Sequence, residues 1–351
     1  MSKQEPPRSG GVPKWFDAHL DLAYLAVLGR DMLADPASAG GPDLPGCVTL
    51  PSLRDGGVTA CLGTVFTELG AEHAAGYKDA ECAHRAGLRQ IEVYQAWEQG
   101  GQVELLLSGG SQRPPRSGGV PSAIKSPDIG ILVEGADPIS DPDELSWWVE
   151  QGVVAVGLAW AKGSRYAGGN TQQEGLTDIG RALIAEMDRL DVTHDVSHLS
   201  DRAFAELMDL ARGSVMASHS NCRALIDEDG QGPTQRHLTD AQIRAVVQRG
   251  GMIGLNLYSP FLIRGGRRDR RATISEAVDH VEHVCMMAGG RSNVGLGSDM
   301  DGGFSAAKLP EGIDLPRDLV RLAEELARRG WSDADIQAFA WGNWARFWGI
   351  P

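Results

Sequence analysis

The chain has 351 residues, of which 42% are hydrophobic and 23% charged, proportions that are ordinary for a protein with a large buried core. It has 33 Lys and Arg against 47 Asp and Glu, and its formal net charge is −14. Such an acidic chain repels phosphate backbones, which argues against a general nucleic-acid binder. The length suggests two domains but also fits one large α/β barrel.

Apolar stretches long enough to cross a membrane are missing, since none reaches about 18 residues. The N-terminus is polar and rich in Pro and Gly, without the apolar segment of a signal peptide. We therefore expect no membrane partner and a cytoplasmic location. The five cysteines are widely spaced and form no C-x-x-C motif, which favours free thiols over disulfides or a cysteine zinc site.

One short segment, PPRSGGVP, occurs twice, at residues 6–13 and 114–121. Eight residues are too few for a repeat architecture, and the duplication has no functional interpretation. We predict a single barrel domain over residues 1–351, with residues 1–14 a flexible N-terminal segment and residues 108–122 an exposed loop.

Eight short apolar segments are predicted to be strands. Most are almost continuously apolar, as expected for parallel strands covered on both faces. They are residues 15–20, 58–66, 129–133, 153–158, 192–196, 214–217, 251–257 and 293–297.

Helical patterns lie between most of these strands. Thr239 with Gln242 and Thr273 with Glu276 have the spacing of capping boxes, and Pro316 opens a charged helix that we expect to reach about Arg329. Eight strands alternating with helices predict an α/β fold, the (β/α)8 TIM barrel. A doubly wound sheet is the alternative, but the first strand is not followed by G-x-G-x-x-G.

Histidines and carboxylates follow the predicted strands at the end where a barrel places its catalytic residues. His19 and Asp21 are two apart at the end of the first strand, so that in an extended chain they share a face. The other candidates follow strands three, five, six and eight: Glu134, His198, His219 and Asp299. Three imidazoles and three carboxylates suit Zn²⁺, with Mn²⁺ or Fe²⁺ also open, and a carboxylate can bridge two ions that share a hydroxide.

Other motifs give weaker signals. His280 and His283 are three apart on a predicted helix, a spacing that can bind metal, but we interpret them as a solvated helix face. The chain contains neither the G-x-S-x-G of a serine hydrolase nor a P-loop.

Several short motifs, in a fixed order along nearly the whole chain, resemble those of the membrane (renal) dipeptidase family of metallopeptidases and its bacterial relatives. They are DAHLD (17–21), EG (134–135), DVSH (195–198), SHSN (218–221), RHLTD (236–240), GSDMDG (297–302) and GNWAR (342–346). The resemblance implies a (β/α)8 barrel, two zinc ions and a homodimer.

The resemblance also implies a role for each matching residue. His19 and Asp21 would bind one metal ion, and His198 and His219 the other. Glu134 would bridge both ions as a catalytic and metal-binding residue. Asp299 would lie against the bridging hydroxide and accept its proton. Arg236 would hold the carboxylate of the substrate, for which the guanidinium fork is well suited.

The chain departs from the family pattern at one position. Mammalian members have Thr-His after the fourth strand, where this chain has Ala159 and Trp160. An indole N–H donates one hydrogen bond but cannot shuttle a proton, so this change bears on rate and substrate range. We predict that Trp160 and Tyr258 bind the substrate.

These observations predict a binuclear zinc-dependent hydrolase of dipeptides. The metal-bound hydroxide would attack the amide carbonyl, Asp299 would move the proton, and Arg236 would select short substrates. The resemblance implies tolerance of a D-residue at the C-terminal position. Two alternatives stay open: hydrolysis of another carboxylate-bearing amide, such as an N-acyl amino acid, and a barrel that binds metal and ligand without catalysis.

Overall fold

The structure is a computed structural model, which describes residues 13–106, 127–227 and 235–350. Most of the predicted flexible segment 1–14 lies outside these ranges. The predicted loop 108–122, with the second PPRSGGVP copy, lies outside them entirely.

Eight parallel strands form a closed barrel. Their order around the barrel is β2-β1-β8-β7-β6-β5-β4-β3, and β2 pairs with β3 to close the ring. The strands are β1 (Trp15–Leu20), β2 (Val58–Phe66), β3 (Asp128–Glu134), β4 (Val153–Gly157), β5 (Thr193–Asp195), β6 (Val215–Ala217), β7 (Met252–Leu255) and β8 (Val294–Leu296). The (β/α)8 fold is therefore confirmed, and each of the eight predicted apolar segments coincides with one strand to within two residues at either end.

Shorter strands lie beside the barrel. Glu104–Leu105 also pairs with β3, and Glu68–Leu69 pairs with Gly76–Tyr77 in a separate two-stranded sheet.

Helices surround the barrel. They are α1 (Leu22–Val27), α2 (Leu50–Asp55), α3 (Ala80–Gln99), α4 (Leu145–Glu150), α5 (Asp178–Arg189), α6 (Asp201–Leu210), α7 (Arg223–Ile226), α8 (Asp240–Gln248), α9 (Ile274–Ala288), α10 (Val320–Arg328), α11 (Asp333–Gln337) and α12 (Asn343–Trp348). Within the described ranges, none of them has the length and apolar character that a membrane span requires.

The predicted helix starts are confirmed at two capping boxes. Thr239 begins α8 and Thr273 begins α9, each accepting a hydrogen bond from the amide three residues on and each capped in return by that residue's side chain. The charged helix at Pro316 differs from the prediction, because its first turn, Pro316–Leu319, is a 3₁₀ turn that precedes α10.

The barrel interior is apolar at its lower end. Phe16 and Ala18 point into it from β1, and Trp344 of α12 stacks on Phe16 with 5.8 Å between ring centroids. Trp15 and Leu20 belong instead to the layer between strands and helices. Strict alternation would place Leu20 inside after Phe16 and Ala18. The β1–β2 pairing shifts register between Asp17 and Leu20, which breaks this alternation and allows His19 to face the barrel mouth.

The solvated helix face expected at His280 is wrong. His280 is 1% exposed, and it lies between the Cys222 amide, which donates to its Nδ1 at 3.1 Å, and the Leu262 carbonyl, 3.3 Å from its Nε2. His283 pairs with Asp240 of α8 at 2.7 Å. Both histidines therefore bond to neighbouring segments of the protein, and the helix is more deeply packed than its sequence pattern indicates.

Candidate active site

Glu134, the last residue of β3, lies at the centre of the barrel mouth. Its Oε2 is 3.4 Å from His19 Nε2, and its Oε1 is 3.1 Å from His198 Nε2 and 3.3 Å from His219 Nε2. One carboxylate oxygen thus faces His19 and the other faces His198 and His219, although the His19 and His219 rings themselves stack 3.5 Å apart. This is the arrangement that a bridging carboxylate requires.

The other predicted ligands surround this centre. Asp21 Oδ1 lies 3.9 Å from His19 Nε2, and His198 Nε2 lies 3.0 Å from His219 Nε2. Two sets of three buried side chains could each hold a metal ion, because within each set the ligand atoms lie within 4.8 Å of one another. The first set is His19, Glu134 and His219, and the second is His19, Asp21 and Asp299. The structure therefore gathers all six predicted metal-binding residues at one end of the barrel.

Backbone strain accompanies two of these residues. His198 has a φ of 66° and Asp299 a φ of 59°, in the left-handed region that non-glycine residues rarely occupy. Each lies three residues beyond the end of a short strand, in the turn that brings its side chain to the mouth. Such strain is concentrated at functional sites.

The surroundings act differently on the histidines of the mouth, because burial and neighbouring cations lower the pKa of His198 to about 4 and that of His219 well below its ordinary value, whereas carboxylates surround His19. Burial alone would lower the pKa of His19, but the carboxylates of Glu134, Asp21 and Asp299 raise it to about 10. Burial opposes ionisation of Glu134, yet the three histidines hold its pKa well below its ordinary value. The carboxylates that stabilise a proton on His19 would also stabilise a divalent cation in the same place.

Asp299 follows β8 and is buried beside the same charges. Burial, together with the charges of Asp21 and Glu134, raises the pKa of Asp299 to about 8, against the opposing effect of His19 and Arg236. Its Oδ2 accepts a hydrogen bond of 2.8 Å from Asn256 Nδ2. A carboxyl group in these surroundings can exchange a proton near neutral pH.

Arg236 lies close to the metal-binding cluster and is 6% exposed. Its Nη1 donates to Ser220 Oγ at 3.2 Å and its Nη2 to the His219 carbonyl at 2.7 Å, while Nε has no partner among the described residues. The guanidinium also packs over the Phe261 ring, 5.2 Å from its centroid. These contacts fix the orientation of the Arg236 guanidinium, and its Nε–H remains available to donate a hydrogen bond to a ligand.

Aromatic side chains line the mouth on two sides. Trp160 packs against Phe66 at 5.1 Å between centroids and lies 6.1 Å from the His198 ring. Tyr258 packs against Phe261 at 4.8 Å and Phe304 at 4.5 Å. The two predicted substrate-binding aromatics therefore lie in separate clusters. Trp160 lies near His198, and Tyr258 packs against Phe261, the ring over which the Arg236 guanidinium lies.

Sequence reasoning missed the polar residues behind the ligands. Thr64 donates to Asp21, and Asn170 Oδ1 is 2.9 Å from His198 Nδ1. Ser218 contacts His219 and is itself held by Asp195, and both residues lie inside the quoted SHSN and DVSH motifs, where their positions close to the predicted ligands were a usable signal. Asn170 belongs to a loop with no such motif, and only the folded structure reveals it.

The residues present fit a divalent metal. His19 Nε2 is buried without a hydrogen-bond partner although it faces carboxylates, which is the situation of a lone pair directed at a cation. Imidazole nitrogens and carboxylate oxygens are the donors that Zn²⁺ prefers. A parallel barrel with these donors at its mouth defines the class of protein as a metal-dependent hydrolase.

Comparison with known proteins defines the family. The family model described as membrane dipeptidase (peptidase family M19) matches residues 13–350, and the chain belongs to this family. It is accordingly a metal-dependent dipeptidase, as the sequence predicted.

Relatives agree with this assignment. The dipeptidase tcpJ of Claviceps purpurea is 28% identical over 309 residues, covering 85% of this chain and 68% of that protein. The crystal structure of the dipeptidase AC, a metallopeptidase of family M19, is 25% identical and has a TM-score of 0.79, with 97% of this chain and 100% of that chain covered. A metallopeptidase from Rhodobacter sphaeroides, solved with a phosphinate mimic of the dipeptide L-Ala-D-Ala, is 24% identical with a TM-score of 0.79, covering 97% of this chain and 99% of that one.

Proposed function

We propose that this dipeptidase works with two divalent ions, most simply Zn²⁺, held by five residues at the barrel mouth, with Asp299 beside them. His19 and Asp21 would hold one ion, His198 and His219 the other, and Glu134 would contact both. The observation behind this proposal is that the two oxygens of Glu134 contact different histidines, Oε2 lying 3.4 Å from His19 and Oε1 lying 3.1 and 3.3 Å from His198 and His219.

The ions and the protein would divide the chemistry. Bound divalent ions would lower the pKa of water and polarise the amide carbonyl. Asp299 would accept the proton of the attacking water and pass it to the leaving amine, a role for which its raised pKa and its buried position suit it. The Asn256 hydrogen bond to Oδ2 would keep the carboxyl group oriented toward the centre.

Arg236 would determine substrate length. Its two outer nitrogens are engaged by Ser220 and His219, so the guanidinium cannot rotate away to follow a flexible ligand. A carboxylate bound to this fixed cation would lie one residue from the scissile bond, which excludes longer peptides. Trp160 and Tyr258 would contact the substrate side chains from the two aromatic clusters.

A panel of dipeptides tests the proposal together with metal analysis. The panel contains L- and D-configured C-terminal residues, an N-acyl amino acid and a tripeptide, assayed with added Zn²⁺ before and after chelation. We expect two ions per chain, turnover of dipeptides with either configuration, and little turnover of the tripeptide. A single tightly bound ion, or equal turnover of the tripeptide, would contradict the proposal.

The predicted homodimer and the predicted cytoplasmic location stay predictions. Sedimentation of the purified protein would determine the first, and fractionation of cells that express the full chain would determine the second.

A further inference from the structure

We propose that the Ser218 hydroxyl, held by Asp195, fixes the ring orientation and tautomer of both His19 and His219 and thereby couples the two ion positions. The inference rests on the proposed assignment of these histidines to different ions. It concerns a positioning residue, because Ser218 would act through the two imidazoles without touching ion or substrate.

Ser218 Oγ lies at the junction of three buried groups. It is 2.5 Å from Asp195 Oδ2, 2.7 Å from His219 Nδ1 and 3.2 Å from His19 Nδ1. Ser218 itself is fully buried. Asp195 is anchored in turn, since its Oδ1 accepts the amides of Ser197 at 3.0 Å and Ser218 at 2.9 Å. The hydroxyl therefore has a fixed position with no access to bulk water.

The hydrogen-bonding capacity of these groups determines the direction of each bond. A carboxylate only accepts, so the single proton of Ser218 is directed at Asp195. Two lone pairs remain on the Ser218 oxygen, and both imidazoles reach them with Nδ1. Each ring must then donate its Nδ1–H to Ser218, so that Nε2 of both rings is directed at Glu134 and the centre and offers its lone pair there once a metal ion takes the place of any Nε2 proton.

The Ser218 hydroxyl thus orients one histidine ligand of each proposed ion, His19 for one and His219 for the other. His19 and His219 also stack with 3.5 Å between ring centroids and 26° between planes, so a rotation of one ring displaces the other. Residues that orient metal-binding histidines typically change metal affinity by about 10- to 100-fold when removed. Because Ser218 bonds to one ligand from each pair, its removal should weaken both binding steps.

The first test is Zn²⁺ binding by Ser218→Ala, measured by competition with a chelator. We expect both ions to bind about 10- to 100-fold more weakly than in the unchanged protein. Ser197→Ala is the matched control, because Ser197 is also buried in the same cluster but its hydroxyl contacts only Ser218, Ser220 and the His219 amide, at 3.3–3.4 Å, and bonds to neither imidazole. Loss at one ion position alone, or no loss, would overturn the inference.

Asp195→Asn supplies a second test that leaves Ser218 in place. The new amide can donate to Ser218 Oγ, which turns the serine proton toward a histidine Nδ1 and so reverses that ring's tautomer. We expect weaker Zn²⁺ binding with an unchanged circular dichroism spectrum. Full Zn²⁺ affinity in this variant would contradict the hydrogen-bond directions proposed here.

Nitrogen-15 NMR of zinc-loaded, histidine-labelled protein reports the tautomers directly. We expect two slowly exchanging Nδ1–H signals, assigned to His19 and His219, that disappear together in Ser218→Ala but persist in Ser197→Ala. If the unchanged protein binds fewer than two ions, the proposed function fails. If it binds two and Ser218→Ala binds them equally well, only the present inference fails.

Discussion

Asp299 combines a buried carboxyl group with a left-handed backbone, and neither property serves packing. Its amide donates to the His19 carbonyl at 3.1 Å, which fixes the turn after β8 against the turn after β1. Its carboxyl group lies with His19 and Asp21 in one of the two possible metal-binding sets. These contacts hold the proton acceptor in place relative to the groups that would bind the ions.

Asp299→Asn separates proton transfer from metal binding. The amide keeps the size of the side chain but cannot accept a proton, so we expect kcat to fall by at least about 10²-fold with metal content retained. Metal analysis and dipeptide kinetics on the same sample measure both. Asp314→Asn, the same change at a side chain that is 63% exposed, is the control. Unreduced kcat in Asp299→Asn would remove this residue from proton transfer.

Arg236→Ala tests recognition of the substrate carboxylate. Loss of a buried charge-assisted hydrogen bond costs about 1.5–3 kcal/mol, so we expect KM for dipeptides to rise by about 10- to 100-fold. A dipeptide with an amidated C-terminus is the matched control, because it lacks the charge that Arg236 would bind. The variant should treat the two substrates alike. A KM for the free dipeptide that does not change would assign the carboxylate to another residue.

At the scale of the element, α9 illustrates how a polar residue can be required inside a helix interface. His280 accepts from the Cys222 amide and faces the Leu262 carbonyl, so its neutral form with the proton on Nε2 satisfies both neighbours. Burial, the largest effect, lowers the pKa of His280 to about 4, below the 6.5 of an unfolded histidine. Protonation therefore favours the unfolded chain.

This histidine should make the protein less stable in mild acid. Because the folded pKa lies below the unfolded one, its contribution to stability is complete above pH 6.5 and is lost as the pH falls toward 4. The loss amounts to roughly 3 kcal/mol at most. Urea unfolding at several pH values, compared with His280→Gln, measures it: the difference between the two proteins should shrink as the pH falls. A constant difference would show that His280 does not titrate on unfolding.

At the scale of the whole molecule, the buried charges of the mouth make stability depend on metal. Asp21, Glu134 and Asp299 lie close together at or just beyond the ends of separate strands, and when ionised each repels the others unless a cation lies between them. A ligand that binds only the folded state stabilises it by about 2.7 kcal/mol at 100 times its Kd. Chelation should therefore lower Tm, and Zn²⁺ should restore it.

The double variant His19→Ala with His219→Ala is the control for this experiment, because it removes one ligand from each proposed ion position. We expect its Tm to be insensitive to both chelator and Zn²⁺. An unchanged Tm of the natural chain after complete metal removal would show that the ions contribute nothing to the fold.

Much of this molecule could be predicted from local patterns. The strands are almost continuously apolar, and Thr239 and Thr273 begin their helices with the expected capping boxes, because these signals depend on neighbouring residues. Ser218 and Asn170 could not be assigned their contacts, since these partners are distant in sequence and only barrel closure brings them together. His280 was misjudged for the same reason, because its partners Cys222 and Leu262 belong to other segments.

The adjacency of β1 and β8 in the ring has a consequence for biosynthesis. Asp17 of β1 is paired with Leu296 of β8. The first strand to be synthesised therefore has both of its neighbours only after the last strand has been synthesised. During translation, His19 and Asp21 leave the ribosome early, whereas the carboxyl group of Asp299 arrives only near the end. The full set of candidate metal ligands therefore comes together only when the eighth strand joins the barrel, and we expect metal to be captured at that late stage.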